Sequence, residues 1–189
     1  CDNGACVMYP HEAPLLHSLP KDVIHRILDA CRSLSAGVPV LCGFHHIYYP
    51  ENDNAAMQHE IQRYYRNPQV VPYDDLYAVD EPILKVALCD TNGPAKEAYP
   101  VMHEALGDAY ELLISGDCWM DIMCKGVTKG AALQGLQERM GITPAETMAF
   151  GDYDNDISML QHAEFSYAME NASERVRQQA KHIAPANTK

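Results

Sequence analysis

Apolar and polar positions alternate along this chain in two different rhythms. In the first half, Val23, Ile24, Ile27, Leu28, Cys31 and Leu34 recur at helical spacing, and Gly37 and Pro39 close the run, which predicts a helix over 21–34. Val40-Leu41-Cys42-Gly43-Phe44 predicts a strand, 51–65 a polar helix after Pro50, and 82–88 a strand carrying Ile83, Leu84, Val86 and Leu88. The stretch 94–106 reads as mostly helix, with Pro100 expected to kink or break it. An antiparallel pair, 110–114 with 118–123, is predicted around Ser115-Gly116-Asp117.

In the second half the rhythm becomes a regular exchange of short strand and short helix. Thr128 is a plausible N-cap for a helix carrying Ala131, Leu133, Leu136 and Met140. Thr147-Met148-Ala149-Phe150 reads as a buried parallel strand, and 156–161 as a helix with Ile157 and Leu160 on one side. A strand over 164–169, a helix opened by Asn171 and a short strand at His182-Ile183-Ala184-Pro185 complete the series. Such alternation predicts an α/β fold with a Rossmann-like parallel sheet. No internal repeat or low-complexity segment interrupts it.

The strand that ends in Gly151-Asp152 delivers carboxylates to its carboxyl end, where open α/β sheets bind ligands. Asp152, Asp154 and Asp156 fall within five residues and repel one another unless positive charge sits among them, most simply a divalent cation with oxygen ligands. Their spacing also opens an EF-hand loop. Counted from Asp152, however, the sixth and twelfth positions hold Ile157 and Ala163, where an EF-hand needs Gly and a bidentate Glu. The plainer alternative is a solvated acidic loop capping the helix that starts near Asp156. It gives no reason for Gly-Asp straight after a buried strand. Upstream, Lys125-Gly126-Val127-Thr128-Lys129-Gly130 places Lys129 in a first helical turn, where a cation opposes the helix dipole. Lys129 is easier to explain if it reaches an anion, either a phosphate or the carboxylates of the acidic loop.

These two segments carry a resemblance. Gly151-Asp152-Tyr153-Asp154-Asn155-Asp156-Ile157-Ser158-Met159-Leu160 looks like G-D-x-x-N-D-x-x-M-L, the fourth motif of the haloacid dehalogenase (HAD) superfamily phosphatases in their Cof-type branch. Lys125 to Gly130 resembles that family's third motif, K-G-[VT]-[ST]-K-G. Ala168-Met169-Glu170-Asn171-Ala172 is similar to its A-M-x-N-A turn, and Asn3-Gly4-Ala5 to its x-x-N-G-A-x-[VI] segment. The resemblance implies a partial Rossmann-like HAD core with a parallel sheet and an inserted α+β cap. Residues 1–12 would end the N-terminal core segment, 13–124 would form the cap, and 125–189 the C-terminal half of the core. It implies Mg2+-dependent hydrolysis of small phosphate monoesters, sugar or cofactor phosphates, through an aspartyl phosphate. Asp152 would be a direct metal ligand. Asp156 would bind metal-bound water or orient Lys129. Lys129 would bind the transferring phosphoryl group, and Asn155 would donate to the phosphate or brace the loop. Asp154 is expected to be solvated, and Gly151 to let the backbone turn beside the metal.

The family's D-x-D-G-[TS] motif, which holds the nucleophilic and acid/base aspartates, is not in the sequence. Leu112-Leu113-Ile114-Ser115-Gly116 mimics the second motif but lies just before Lys129, out of the family's order, so Ser115 is expected in the cap. The chain therefore reads as a piece of a longer protein and is expected to be inactive, or nearly so, by itself. Two other readings stay open: a sugar phosphomutase of the same fold, which a sugar bisphosphate would activate, and a non-catalytic protein that binds phosphorylated ligands. The wording of the two motifs favours the Cof-type phosphatase over the mutase.

Charge and cysteine content narrow the partners. The net charge is −12, which argues against a nucleic-acid partner. A phosphorylated metabolite remains compatible, because Mg2+ and Lys129 would supply local positive charge. No apolar run is long enough to span a membrane, and no sequence feature sets an oligomeric state. Seven cysteines with no C-x-x-C suit reduced thiols and a cytoplasmic location. Cys42-x-x-His45-His46 is a faint zinc echo without a second ligand pair, so Cys42 is expected to be a buried thiol.

Overall fold

The two rhythms resolve into two units, one made of Cys1–Leu15 with Gly126–Lys189, the other of Leu16–Lys125. The computed structural model describes residues 1–94 and 96–187. Ala95, inside the helix expected over 94–106, and the terminal Thr188 and Lys189 lie outside the described residues. Two short strands come first, β1 (Cys6–Val7) and β2 (Leu15–Leu16).

In the Leu16–Lys125 unit, α1 (Lys21–Cys31) begins behind Pro20 with Asp22 in its first turn, where a carboxylate favours the helix dipole. It buries Val23, Ile24, Ile27, Leu28 and Cys31 and stops short of Leu34, because the N–H and hydroxyl of Ser33 both turn back to the Ala30 carbonyl. Then follow β3 (Val38–Gly43), β4 (Ile47–Pro50), α2 (Ala55–Tyr64), β5 (Gln69–Val71), a 3-10 helix (Tyr73–Ala78), β6 (Ile83–Cys89), α3 (Ala98–Leu106), β7 (Tyr110–Ile114) and β8 (Trp119–Cys124). The strands form one sheet in the order β5-β4-β3-β6-β8-β7. All neighbours are antiparallel except β4 and β5, which run parallel on either side of α2 in the chain.

The central strand β6 explains its own composition. Val86 and Leu88 join a core with α1 and α3, whereas Ala87 and Cys89 join a second core with Met57 and Ile61 of α2. A strand covered on both faces needs an unbroken apolar run rather than an alternating one. Lys85 interrupts that run and is held by both carboxylate oxygens of Asp121 on β8, at 3.3 and 3.2 Å. Two expectations need correction. The helix expected from residue 51 starts at Ala55, capped by Asn54, because the chain up to Pro50 is spent in β4. Pro100 neither kinks nor breaks α3: it is the third residue, within the first turn, where the N–H would have no helical partner in any case.

The other unit holds α4 (Lys129–Met140), β9 (Met148–Gly151), a 3-10 turn (Asp154–Asp156), α5 (Ile157–Gln161), β10 (Phe165–Met169), α6 (Glu174–Gln179) and β11 (His182–Ala184). The three strands are parallel in the order β11-β10-β9. The architecture is thus α/β, with a parallel sheet in one unit and a mixed, mostly antiparallel sheet in the other. Ala149, Leu160, Ala163, Ala168, Ala172 and Val176 form the core of the parallel unit. β9 is buried on only one face: Ala149 and Gly151 point inward, while Met148 and Phe150 are exposed. The N-cap of α6 is Ser173, not Asn171, since the Ser173 hydroxyl accepts the Val176 N–H. In α4 the apolar pattern also misleads. Met140 is exposed, and the buried side chain is Gln137, whose amide donates to Thr147 Oγ1 and to the His162 carbonyl, both at 2.8 Å.

Candidate active site

At the carboxyl end of β9 the chain passes through Gly151 and Asp152 into the 3-10 turn and then α5. The Asp156 carboxylate folds this loop back on itself: Oδ2 accepts the N–H of Asp152 at 3.0 Å and of Tyr153 at 3.1 Å. Such contact explains Gly151 more directly than a tight turn does. Gly151 has no left-handed φ, but a Cβ there would lie 2.5 Å from the Cβ of Asp156. The second oxygen of Asp156 accepts Lys129 Nζ in an ion pair. Burial alone would raise the Asp156 carboxyl. Lys129 and the two backbone N–H groups outweigh it and hold the group below the ordinary carboxylate range.

Lys129 is the first residue of α4, and Thr128 caps the helix by accepting the Ala131 N–H at 3.1 Å. The next residue locks this end of the helix against α5. The Gly130 N–H donates to Ser158 Oγ at 3.1 Å, and a Cβ on Gly130 would lie 2.5 Å from the Ser158 carbonyl oxygen. The cation that opposes the helix dipole therefore has the anion expected of it.

The remaining candidates sit in the same loop. Asp152 is half-buried and accepts Asn187 Nδ2 on Oδ2 at 2.8 Å. Asn155 donates Nδ2 to Asn3 Oδ1 at 3.0 Å, bracing the loop against the N-terminal turn, and its own Oδ1 is buried without a hydrogen-bond partner. Asp154 is exposed and pairs with Arg175 at 2.9 Å. Sequence reasoning passed over Ser158, Asn3 and Asn187 as partners of the site. Asn3 lay within the noticed Asn-Gly-Ala segment, and Asn187 stood just past the last strand, so both positions carried a trace of their role.

Among the described residues, no three His, Cys, Asp or Glu side chains are grouped to hold a metal by themselves. Mg2+ makes a lesser demand: it is held by one or two carboxylates and completed by water and substrate phosphate. The Asp152 carboxylate and the unpaired Oδ1 of Asn155 are oxygen donors of the kind such an ion takes, and the loop fits it. Asp156 is already committed on both oxygens, to Lys129 and to the backbone, an arrangement that orients Lys129.

In the other unit, Cys42 is a buried thiol that donates to the Val40 carbonyl and the Tyr65 hydroxyl. His45 and His46 follow it in the chain. Those two histidines are organised by Glu81, which accepts both of their N–H groups, His46 Nδ1 and the Tyr48 hydroxyl. Ser115 lies in this unit, at the turn between β7 and β8, where its N–H donates to the Trp119 carbonyl.

Residues 1–189 match the family described as haloacid dehalogenase-like hydrolase. The chain is 29% identical over 188 residues to the 5-amino-6-(5-phospho-D-ribitylamino)uracil phosphatase YbjI of Escherichia coli (strain K12), covering all of this chain and 69% of that protein. It is 26% identical over 195 residues to the phosphatase of the same name, YitU, of Bacillus subtilis (strain 168), covering 98% of this chain and 69% of that one. A crystal structure from Streptococcus mutans UA159 superposes with a TM-score of 0.85 at 26% identity, over 98% of this chain and 70% of that one.

Proposed function

Because the chain belongs to the haloacid dehalogenase-like hydrolase family, we propose that Lys129 and the Asp152–Asp156 loop are the phosphate-holding part of a Mg2+-dependent phosphatase that acts on small phosphate monoesters. The observation that carries this reading is the Lys129–Asp156 ion pair at the carboxyl end of β9, with Asp152 directly following the strand and a buried Asn155 oxygen still to be satisfied. In this reading Lys129 Nζ holds a phosphoryl oxygen and balances the charge that spreads over the phosphoryl group during transfer. Asp156 stays ionised and fixes where that ammonium points. Asp152, with Asn155 Oδ1, would hold Mg2+, which when bound neutralises phosphoryl oxygens. Asn187 and Asn3 keep Asp152 and Asn155 in place.

Hydrolysis is proposed to pass through an aspartyl phosphate. No D-x-D-G-[TS] occurs in these 189 residues, so the chain by itself should hold phosphate esters without turning them over. Substrates are proposed to be sugar or cofactor phosphates. The names of the two bacterial relatives make a phosphorylated ribityl chain an early compound to test. All seven thiols are free, which supports a reducing, cytoplasmic setting. No helix among the described residues is long and apolar enough to cross a membrane.

The experiment is phosphate release from a panel of sugar, polyol and nucleotide phosphates by the protein as its native gene expresses it, with an intact mass taken first. Expected are activity that requires Mg2+ and a loss of at least 100-fold in Lys129→Ala. Fast Mg2+-dependent turnover by the 189-residue chain alone would overturn the missing-nucleophile part of the proposal. Ligand binding with no turnover by the native product would overturn the phosphatase reading.

A further inference from the structure

The Leu16–Lys125 unit holds a cavity of about 430 Å³ where α2 gives way to β5. Its size lies within the ~300–1,000 Å³ of small-molecule sites. Tyr49, Tyr65 and Val70 supply aromatic and apolar wall, and Gln62, Arg66 and Asn67 supply polar groups. Tyr49 is a fixed wall, only 2% exposed. Asn67 takes a left-handed φ of 51°, which asparagine adopts more readily than most side chains, and turns the chain from the end of α2 towards β5.

Arg66 separates this cavity from an ordinary surface groove. The nearby Arg63 already serves the carboxyl end of α2: it sits in the last turn, pairs with Glu60 at 3.3 Å and lies over the Tyr64 ring. Among the described residues, Arg66 has no carboxylate within ion-pair distance, although the chain carries 26 acidic side chains against 14 basic ones. A guanidinium offers a planar fork of donors suited to phosphate or carboxylate, and tyrosine faces suit a flat ring. Two amides add donors and acceptors that match the edge of a heterocycle. We propose that this cavity binds a planar heteroaromatic anion of mononucleotide type, its acidic group on Arg66 and its ring against Tyr65, with the buried Tyr49 as the floor beneath. The site is built from residues of the Leu16–Lys125 unit alone and does not depend on the phosphatase reading.

The chain contains its own reporter. Trp119 is the single tryptophan, and its ring meets those of Tyr65 and Tyr64 edge-on, at centroid distances of 5.7 and 5.4 Å. Uridine 5′-monophosphate is titrated into the full chain with excitation at a wavelength selective for tryptophan; uridine and inorganic phosphate are run in parallel. A saturable change in Trp119 emission is expected with the nucleotide. Uridine or phosphate alone should bind at least tenfold more weakly. Arg66→Ala should weaken nucleotide binding at least tenfold, Arg66→Lys should restore part of it, and Lys129→Ala should leave it intact. The proposal is overturned by the absence of a saturable change, by equal affinity in Arg66→Ala, by phosphate binding as tightly as the nucleotide, or by loss in Lys129→Ala with Arg66→Ala unaffected. Arg66 is exposed, so its replacement does not threaten folding.

Discussion

Lys129 and Asp156 set both the electrostatics and the acid sensitivity of the site. The folded-state Asp156 carboxyl lies below its unfolded value, so on acidification the unfolded chain takes up this proton first. The stabilisation is complete above the unfolded value near ~4 and is lost as pH falls through the folded value. Asp156→Asn should therefore lower stability at neutral pH by about 1–3 kcal/mol, since it removes the ion pair while an amide oxygen can still accept a backbone N–H. It should also flatten the acid limb of stability against pH. Urea midpoints from pH 7 to 2 test this; an acid limb as steep as that of the parent chain would remove Asp156 from the account. Gly130→Ala gives a second test with an unintuitive sign. Helix propensity alone favours alanine by about 1 kcal/mol. The new Cβ would meet the Ser158 backbone, and the overpacking should instead destabilise by about 1–3 kcal/mol and weaken the phosphate binding proposed for Lys129. At this scale the meeting of Lys129 with the acidic loop at Asp156 was legible because both sit in short, dense motifs. The braces were not, because Asn3 and Asn187 come from 152 and 35 residues away along the chain.

Among the elements, α4 shows what periodicity reads and what it misses. Its cap at Thr128 and its end at Gly141, which takes the left-handed φ of 67°, follow from residue type alone. Its packed face does not. Gln137 is buried because two acceptors, Thr147 Oγ1 and the His162 carbonyl, are aimed at its amide, and neither lies on the helix. Gln137→Leu keeps much of the volume and removes both bonds, so it should cost about 1–3 kcal/mol. Met140→Gln at the exposed end should change stability by no more than about 0.5 kcal/mol. Thermal melts of the two variants decide between them, and the reverse order would restore the apolar-face reading. β4 and β5 were missed for a related reason. They are four and three residues long, too short for a period to declare itself, and β5 exists as a strand only by pairing with β4. The long apolar strand β6 and the antiparallel pair β7–β8 were legible because burial on both faces, or a tight turn, is written locally.

For the whole molecule, the two units differ in how much apolar surface they hide. The Leu16–Lys125 unit has two cores built from large side chains such as Ile27, Leu28, Leu41, Met120, Ile122 and Ile61, laid on both faces of the six-stranded sheet. In the parallel unit, four of the six core residues are alanines. The other face of its sheet carries a ladder of Phe150, Tyr167 and His182, stacked at 5.0 and 4.9 Å, and Met148, Phe150 and Phe165 remain exposed. Hydrophobic stabilisation scales with the apolar area removed from water, so the parallel unit should open first. Amides of β9, β10 and β11 should exchange with solvent faster than those of β3, β6 and β8. The single tryptophan gives the same comparison optically. Trp119 lies in the larger unit, so its urea transition should come at a higher concentration than the first loss of far-UV circular dichroism. Coincident transitions with uniform amide protection would mean that both units unfold as one, and the alanine-rich core would then not set the weak point of the fold.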